Sequence, residues 1–153
     1  GVIQQFLKDV EWGELDYLIV DLPPGTSDAS LTVMQSLPMS GVVLVSSPQG
    51  LAGMVVRKAA NMVQQMQTPM LGIIENMSGL ICPHCGGRIE VFKTGGGENA
   101  ARELNVPVLG AIPLDAEIGR LGDQGVAFEG RKTAAGEAFE GIVSRILQSL
   151  SIK

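Results

Sequence analysis

Charge is scarce in this sequence, and so are aromatic rings: 18% of the residues are Asp, Glu, Lys or Arg, and 4% are Phe, Trp or Tyr. No run of Lys or Arg stands out, and the formal net charge is −5. An acidic chain without a basic patch argues against nucleic acid as its main partner, because binding a phosphate backbone needs clustered cations. No apolar run approaches the roughly 20 residues that span a bilayer. The N-terminus shows no basic segment followed by an apolar core, so neither a membrane span nor a signal peptide is expected. Cysteine is limited to Cys82 and Cys85, and histidine to His84. Two cysteines this close together are no disulfide framework. In a cytoplasmic α/β protein, the setting expected here, such a pair reads as metal-binding or redox-active.

What is present is aliphatic. Hydrophobic residues make up 45% of the 153, and mean hydropathy is +0.25. That excludes a disordered chain and suits a single domain, 1–153, with a real core. Four aliphatic runs have the look of buried parallel strands: Tyr17–Val20, Val42–Val45, Met70–Ile74 and Val108–Ile112. Between them lie helical patterns. Leu51, Val55, Ala59, Met62, Val63 and Met66 share one face, and Phe139, Ile142, Val143, Ile146, Leu147 and Leu150 share another. Shorter helices are expected around Ala29–Leu37 and Glu98–Leu104. Such alternation predicts a doubly wound α/β fold with a mostly parallel sheet. Val2, Ile3, Phe6, Leu7 and Val10 already form a helical stripe with nothing before it to cap a helix. The sequence therefore reads as part of a longer protein that begins inside an element. The least regular stretch runs from Glu75 to Gly97 and reads as a cysteine-containing loop, 76–97, inserted in the domain.

The first motif is Tyr17-Leu18-Ile19-Val20-Asp21, followed by Leu22-Pro23-Pro24-Gly25-Thr26. A strand ending in Asp puts a carboxylate at the C-terminal edge of a parallel sheet, where ligands bind in open α/β folds. In a nucleotide site such an Asp holds Mg²⁺, usually through water, while the next turn senses the γ-phosphate. Gly25 can bring its N–H close to a phosphate because no side chain intervenes. The second motif is Cys82-Pro83-His84-Cys85-Gly86. Thiolates at this spacing grip one metal centre with two ligands, and a twofold dimer would join two such pairs into a four-cysteine site. Spacing alone does not separate iron–sulfur from zinc. A dithiol oxidoreductase shares the C-x-x-C pattern but places it at a helix start, whereas Gly86-Gly87 and a short strand-like run, Arg88–Phe92, follow here. His84, between two ligands, reads as a solvent-facing loop residue. Lys93-Thr94-Gly95-Gly96-Gly97-Glu98-Asn99 reads as an exit from the cysteine loop and not as a phosphate cradle: the lysine precedes the glycines, and Glu98 would repel an anion. Asn76 and Pro113 follow strands at the ligand edge, where a carboxamide can pair with an adenine edge; the alternatives are a helix or turn cap for Asn76 and a helix-initiating turn for Pro113. The seven methionines read mostly as core or interface filler, and Arg57 and Lys58 as a solvated face.

Taken in order, DYLIVDLPPGTSD, GIIENMSGLICPHCG, KTGGGENAARELNVPVLGAIPLD and LGDQGVAFEG resemble the Mrp/ApbC family of iron–sulfur carriers, P-loop ATPases related to MinD and ParA. The resemblance runs from about Asp16 to the last helix. It implies a MinD/ParA-like P-loop fold and a homodimer that binds ATP and Mg²⁺. It also implies a 4Fe–4S cluster held between subunits by Cys82 and Cys85 and passed to apo iron–sulfur proteins. By the same resemblance Asp21 positions Mg²⁺ and water, Pro23 to Thr26 form the switch turn, and Asn76 contacts adenine with Pro113 packed beside it. The family's first strand, phosphate loop and switch I have no counterpart here, and no G-x-x-x-x-G-K-[ST] pattern occurs in the sequence. Zinc remains the alternative metal, in a zinc-stapled MinD/ParA-like dimer. Phosphoryl transfer depends on the phosphate loop and its lysine. The 153-residue chain is therefore expected to hydrolyse no ATP above a protein-free blank, and measurable turnover would overturn this reading of the site.

Overall fold

The computed structural model describes residues 2–82, 84–92, 95–128 and 132–151. Its centre is β2 (Met70–Ile81), which pairs in parallel with β1 (Val42–Ser46) on one side and β4 (Val108–Leu114) on the other. A two-residue strand, β3 (Arg88–Ile89), pairs antiparallel with the far end of β2. Alternation along β2 sorts the core into two layers, since successive side chains point to opposite faces. Ile73 faces α3 (Gly50–Gln65) and α4 (Gly96–Leu104), packing with Leu44, Val56, Ala60, Ala100 and Ala101. Ile74 faces the other way, into Leu109, Ile112, and Ala135 and Ile142 of α6 (Ala134–Ser151). Helices thus cover both faces of a mostly parallel sheet, as the alternation predicts. A third cluster joins Met34 of α2 (Asp28–Ser36) to Met62 and Val63 of α3.

Several expectations are corrected. Tyr17–Val20 is no strand: the segment pairs with nothing regular, and Tyr17, Leu18 and Ile19 are exposed, Ile19 by 89%. An aliphatic run becomes a strand only when a neighbouring strand supplies its hydrogen bonds. Among the described residues none lies against the outer edge of β1, where Val45 is also exposed. The stripe of α1 (Val2–Asp9) forms a helix but buries nothing; Val2 and Phe6 stay exposed. On α3 the buried face is Val56, Ala60, Met62 and Val63, while Leu51 and Val55 are exposed. Small Ala60 lets α3 sit close to the sheet and turns the face by about one residue from the one the larger side chains suggest. On α6, Ile142 is buried and Ile146 packs beside it, but Phe139, Val143 and Leu147 are exposed. Helix α5 (Ala116–Asp123) follows the Pro113 turn, as the helix-initiating alternative there has it. Its start is set by Asp115, whose Oδ1 accepts from the Glu117 N–H at 2.9 Å. Met34 and Met62 are buried as filler, whereas Met54 and Met77 are exposed. No helix among the described residues is long and apolar enough to cross a membrane.

Two substitutions test this assignment. Ile73 is fully buried, so Ile73→Ala should cost about 2–5 kcal/mol of unfolding free energy in a urea titration. Ile19→Ala should stay within about 0.5 kcal/mol of the parent. Comparable losses at both positions would place Tyr17–Val20 in the core after all.

Candidate functional site

The C-terminal ends of parallel strands form one edge, and this edge carries most of the candidate residues. Ser46 of β1 pairs with Glu75 of β2, which pairs with Ala111 of β4; one step on, Asn76 pairs with Ile112, whose neighbour is Pro113. The structure thus brings Asn76 and Pro113 together. The Asn76 carboxamide oxygen accepts from the Met77 N–H at 2.9 Å, which leaves its NH₂ free to donate outward.

Beyond Asn76 the strand does not stop. From Asn76 to Leu80 β2 advances four positions while β4 advances two, from Ile112 to Leu114. The excess is absorbed by a bulge in which Met77 and Gly79 take φ of 59° and 95°. The guanidinium of Arg88 reaches back over Gly79 and donates to the Ser78 carbonyl at 2.6 Å. Bent in this way, β2 keeps one pairing with β4, Leu80 to Leu114, and becomes one arm of a hairpin with β3. The stretch expected to be an irregular loop, 76–97, is therefore ordered strand as far as Ile81, and of the run Arg88–Phe92 only Arg88 and Ile89 pair.

Both cysteines lie in the hairpin turn. The Cys82 N–H donates to the Gly87 carbonyl and the Gly86 N–H to the Cys82 carbonyl, each at 2.9 Å. The thiols are free, Cys82 half-buried and Cys85 exposed. The Cys82 thiol is held below the ordinary cysteine range, first by the Cys85 N–H, then by the His84 N–H and the Cys85 thiol. Backbone donors aimed at a sulfur favour the thiolate, the form that ligates a metal. Gly87 leaves room for the second sulfur: a Cβ there would stand 3.3 Å from the Cys85 Sγ. His84 is exposed. Pro83, Lys93 and Thr94 lie outside the described residues. Among the described residues no three His, Cys, Asp or Glu side chains gather into a metal-binding group, so one chain offers two thiolates and no complete tetrahedral set. The hairpin context also differs from the helix start that an oxidoreductase dithiol uses.

Asp21, Pro23, Gly25 and Thr26 are placed differently. They belong to the segment leading into α2, which Ser27 caps by accepting from the Ser30 N–H. Asp21, Pro23 and Thr26 are exposed, and Gly25 takes φ of 83°. No hydrogen bond or ion pair among the described residues links this turn to Asn76 or Pro113.

One pair of residues escaped sequence reasoning. Glu75 is buried on β2, and its carboxylate accepts from the Gly97 N–H at 2.6 Å. Gly97 lies in the first turn of α4, whose N-cap, Gly95, has no side chain to offer. An internal anion therefore already occupies the glycine turn, in keeping with the reading that this turn is not a phosphate cradle. The available signal was a charge closing an otherwise aliphatic strand, Leu71-Gly72-Ile73-Ile74-Glu75.

Known proteins place this arrangement. The chain is 46% identical over its full length to an iron–sulfur cluster carrier protein of Methanocaldococcus jannaschii, covering 53% of that protein. It is also 46% identical to one of Synechocystis, covering 99% of this chain and 44% of that protein. The chain thus spans about half the length of the curated relatives it matches. Among solved structures, a nucleotide-binding protein from Archaeoglobus fulgidus in complex with ADP superposes with a TM-score of 0.73 at 48% identity, over 82% of this chain and 51% of that one. The cell division ATPase MinD of Pyrococcus furiosus superposes at 0.69 and 19% identity over 95% of this chain and 57% of that one, a likeness of fold. A family model described as ParA: NUBPL iron-transfer P-loop NTPase matches residues 1–147, and the chain belongs to that family.

Proposed function

We propose that this chain is the cysteine-bearing part of a cytoplasmic iron–sulfur cluster carrier. The observation that carries the reading is the hairpin turn at Cys82 and Cys85, where backbone N–H groups favour thiolate at Cys82 in a chain of an iron-transfer family. The cargo is a 4Fe–4S cluster. Two thiolates per chain leave it half-ligated, so a homodimer joined at the two hairpins supplies all four cysteines. The exposure of Cys85 suits a cargo that must leave, since a recipient's thiols need access to the iron. The recipients are apo iron–sulfur proteins.

ATP and Mg²⁺ belong to the same proposal. Asp21 would position Mg²⁺ and water, Pro23, Gly25 and Thr26 would form the switch turn, and Asn76 with Pro113 would flank adenine. The phosphate-binding lysine comes from no residue of this sequence, so hydrolysis is assigned to the longer protein. Asn76 lies on the strand that leads directly into the cysteine turn, which would give nucleotide and cluster a common support. The same turn geometry also suits zinc, and a zinc-stapled ATPase dimer is the reading to be separated by experiment.

Iron, zinc and acid-labile sulfide should be measured on protein purified anaerobically after cluster reconstitution, beside Cys82→Ala. About two irons and two sulfides per chain, lost in the variant, are expected for a four-iron cluster shared by two chains. Stoichiometric zinc without sulfide would replace the carrier reading with the structural one. In the metal-free protein, the pH profile of Cys82 alkylation by iodoacetamide should lie below that of a free cysteine, because the thiolate is the reactive form. A profile at or above that of free cysteine would remove the thiolate-favouring turn from the argument.

A further inference from the structure

We propose that Glu75 is a positioning residue for the cysteine hairpin: its buried carboxylate caps α4 from within the sheet and fixes the chain where it leaves the hairpin. The reading of the cysteines as ligands enters only through what the positioning is for.

Burying a carboxylate is costly unless its partners compensate, and a Val or Ile would fill this place in an aliphatic strand more cheaply. Glu75 sits on the face of β2 that carries Ile73 and looks toward α4. Its neighbour on β1 is buried Ser46, small enough to leave the carboxyl room. The carboxylate meets Gly97, the second residue of α4. The first N–H groups of a helix have no partner inside it, and an anion there is favoured by the helix dipole as well. The fit leaves no space for a larger residue. A Cβ on Gly97 would stand 2.9 Å from the Glu75 Cβ, and one on Gly96 2.9 Å from the Pro48 carbonyl oxygen. The start of α4 is thus pinned between the end of β2 and the turn after β1.

The consequence concerns the hairpin. Its entry is rigid because β2 itself continues into it, and Arg88 ties the bulge to Ser78. Its exit has no such strand among the described residues: 90–92 and Gly95 belong to no strand. Glu75 supplies the missing tether, and it lies one residue from Asn76. A displacement at the ligand edge, at Asn76 or at Pro48, would therefore be passed to α4 and to the hairpin's return path.

The test compares amide hydrogen exchange in the full 153-residue chain and in Glu75→Ala, Glu75→Gln and Ile142→Val. The last is a core variant on the opposite face that controls for lost stability. Glu75→Ala should speed exchange at Gly97, and at Cys82 and Gly86 in the hairpin, by about tenfold or more, as loss of a charge-assisted hydrogen bond implies. Glu75→Gln keeps an acceptor oxygen and should stay within about threefold of the parent. Ile142→Val should leave the hairpin amides at parent rates. If Glu75→Ala affects Gly97 alone, or if Ile142→Val speeds Cys82 and Gly86 equally, the positioning role is overturned. Should Glu75→Ala fail to fold, Glu75→Asp, which withdraws the carboxylate by one methylene, carries the same comparison. Titration with Co²⁺, read by thiolate-to-metal absorption, separates this proposal from the carrier reading. Affinity reduced about tenfold in Glu75→Ala and restored in Glu75→Gln supports positioning of ligands. Equal affinity in all variants overturns it. A parent chain that binds no Co²⁺ through its thiols counts against the cysteines as ligands, while the exchange result still decides the role of Glu75.

Discussion

Everything in this molecule is built on β2. It is the one strand among the described residues that pairs with each of the other three. Its alternating side chains divide the core between α3 and α4 on one face and α6 on the other. Its far end, bent by the bulge at Met77 to Gly79, becomes the arm that presents Cys82. Within ten positions this strand and the residue that follows it carry a core residue, Ile73, a candidate adenine contact, Asn76, and a candidate cluster ligand, Cys82. The strand is also stiff, because it is hydrogen-bonded on both sides up to the sheet edge. That pairing fixes how far the hairpin turn lies from the sheet edge at Asn76.

In the hairpin, local backbone chemistry acts on one of the two candidate ligands. Gly86 and Gly87 close the turn, and the N–H groups of His84 and Cys85 are left pointing at the Cys82 sulfur. The arrangement favours charge on one thiol while the other stays open to solvent. Such an asymmetric pair suits ligands that hold a centre firmly on one side and release it on the other.

Much of this was legible in the sequence, for reasons that differ by residue. Val42–Val45, Met70–Ile74 and Val108–Ile112 read correctly as strands because aliphatic runs of that length have few other ways to be buried. Tyr17–Val20 has the same composition and forms no strand, since pairing is decided by a partner and not by the run itself. The α3 face was misread because Leu51 and Val55 outweigh Ala60 on any hydrophobicity count, yet close packing on the sheet favours the small residue. The start of helix α5 was legible as the helix-initiating alternative at Pro113, and Asp115 and Glu117 mark it. The spacing of the cysteines was plain, but the hairpin holding them was not, because its second strand is only two residues long. Glu75 was the hardest to see: its meaning depends on Gly97, which only the folded chain brings beside it. The family model spans residues 1–147, in agreement with the resemblance read from the motifs.

The bare outer edge of β1 bears on how the chain behaves in company. Val42–Ser46 contains no proline and no charged side chain, the devices by which natural edge strands discourage neighbours. Ile19, in the aliphatic run Tyr17–Val20, is turned to solvent as well. Backbone donors and acceptors in such a row are satisfied by water when the protein is dilute and by other chains when it is crowded. Colloidal behaviour, and not folding stability, is then the property most sensitive to how much of this protein is present.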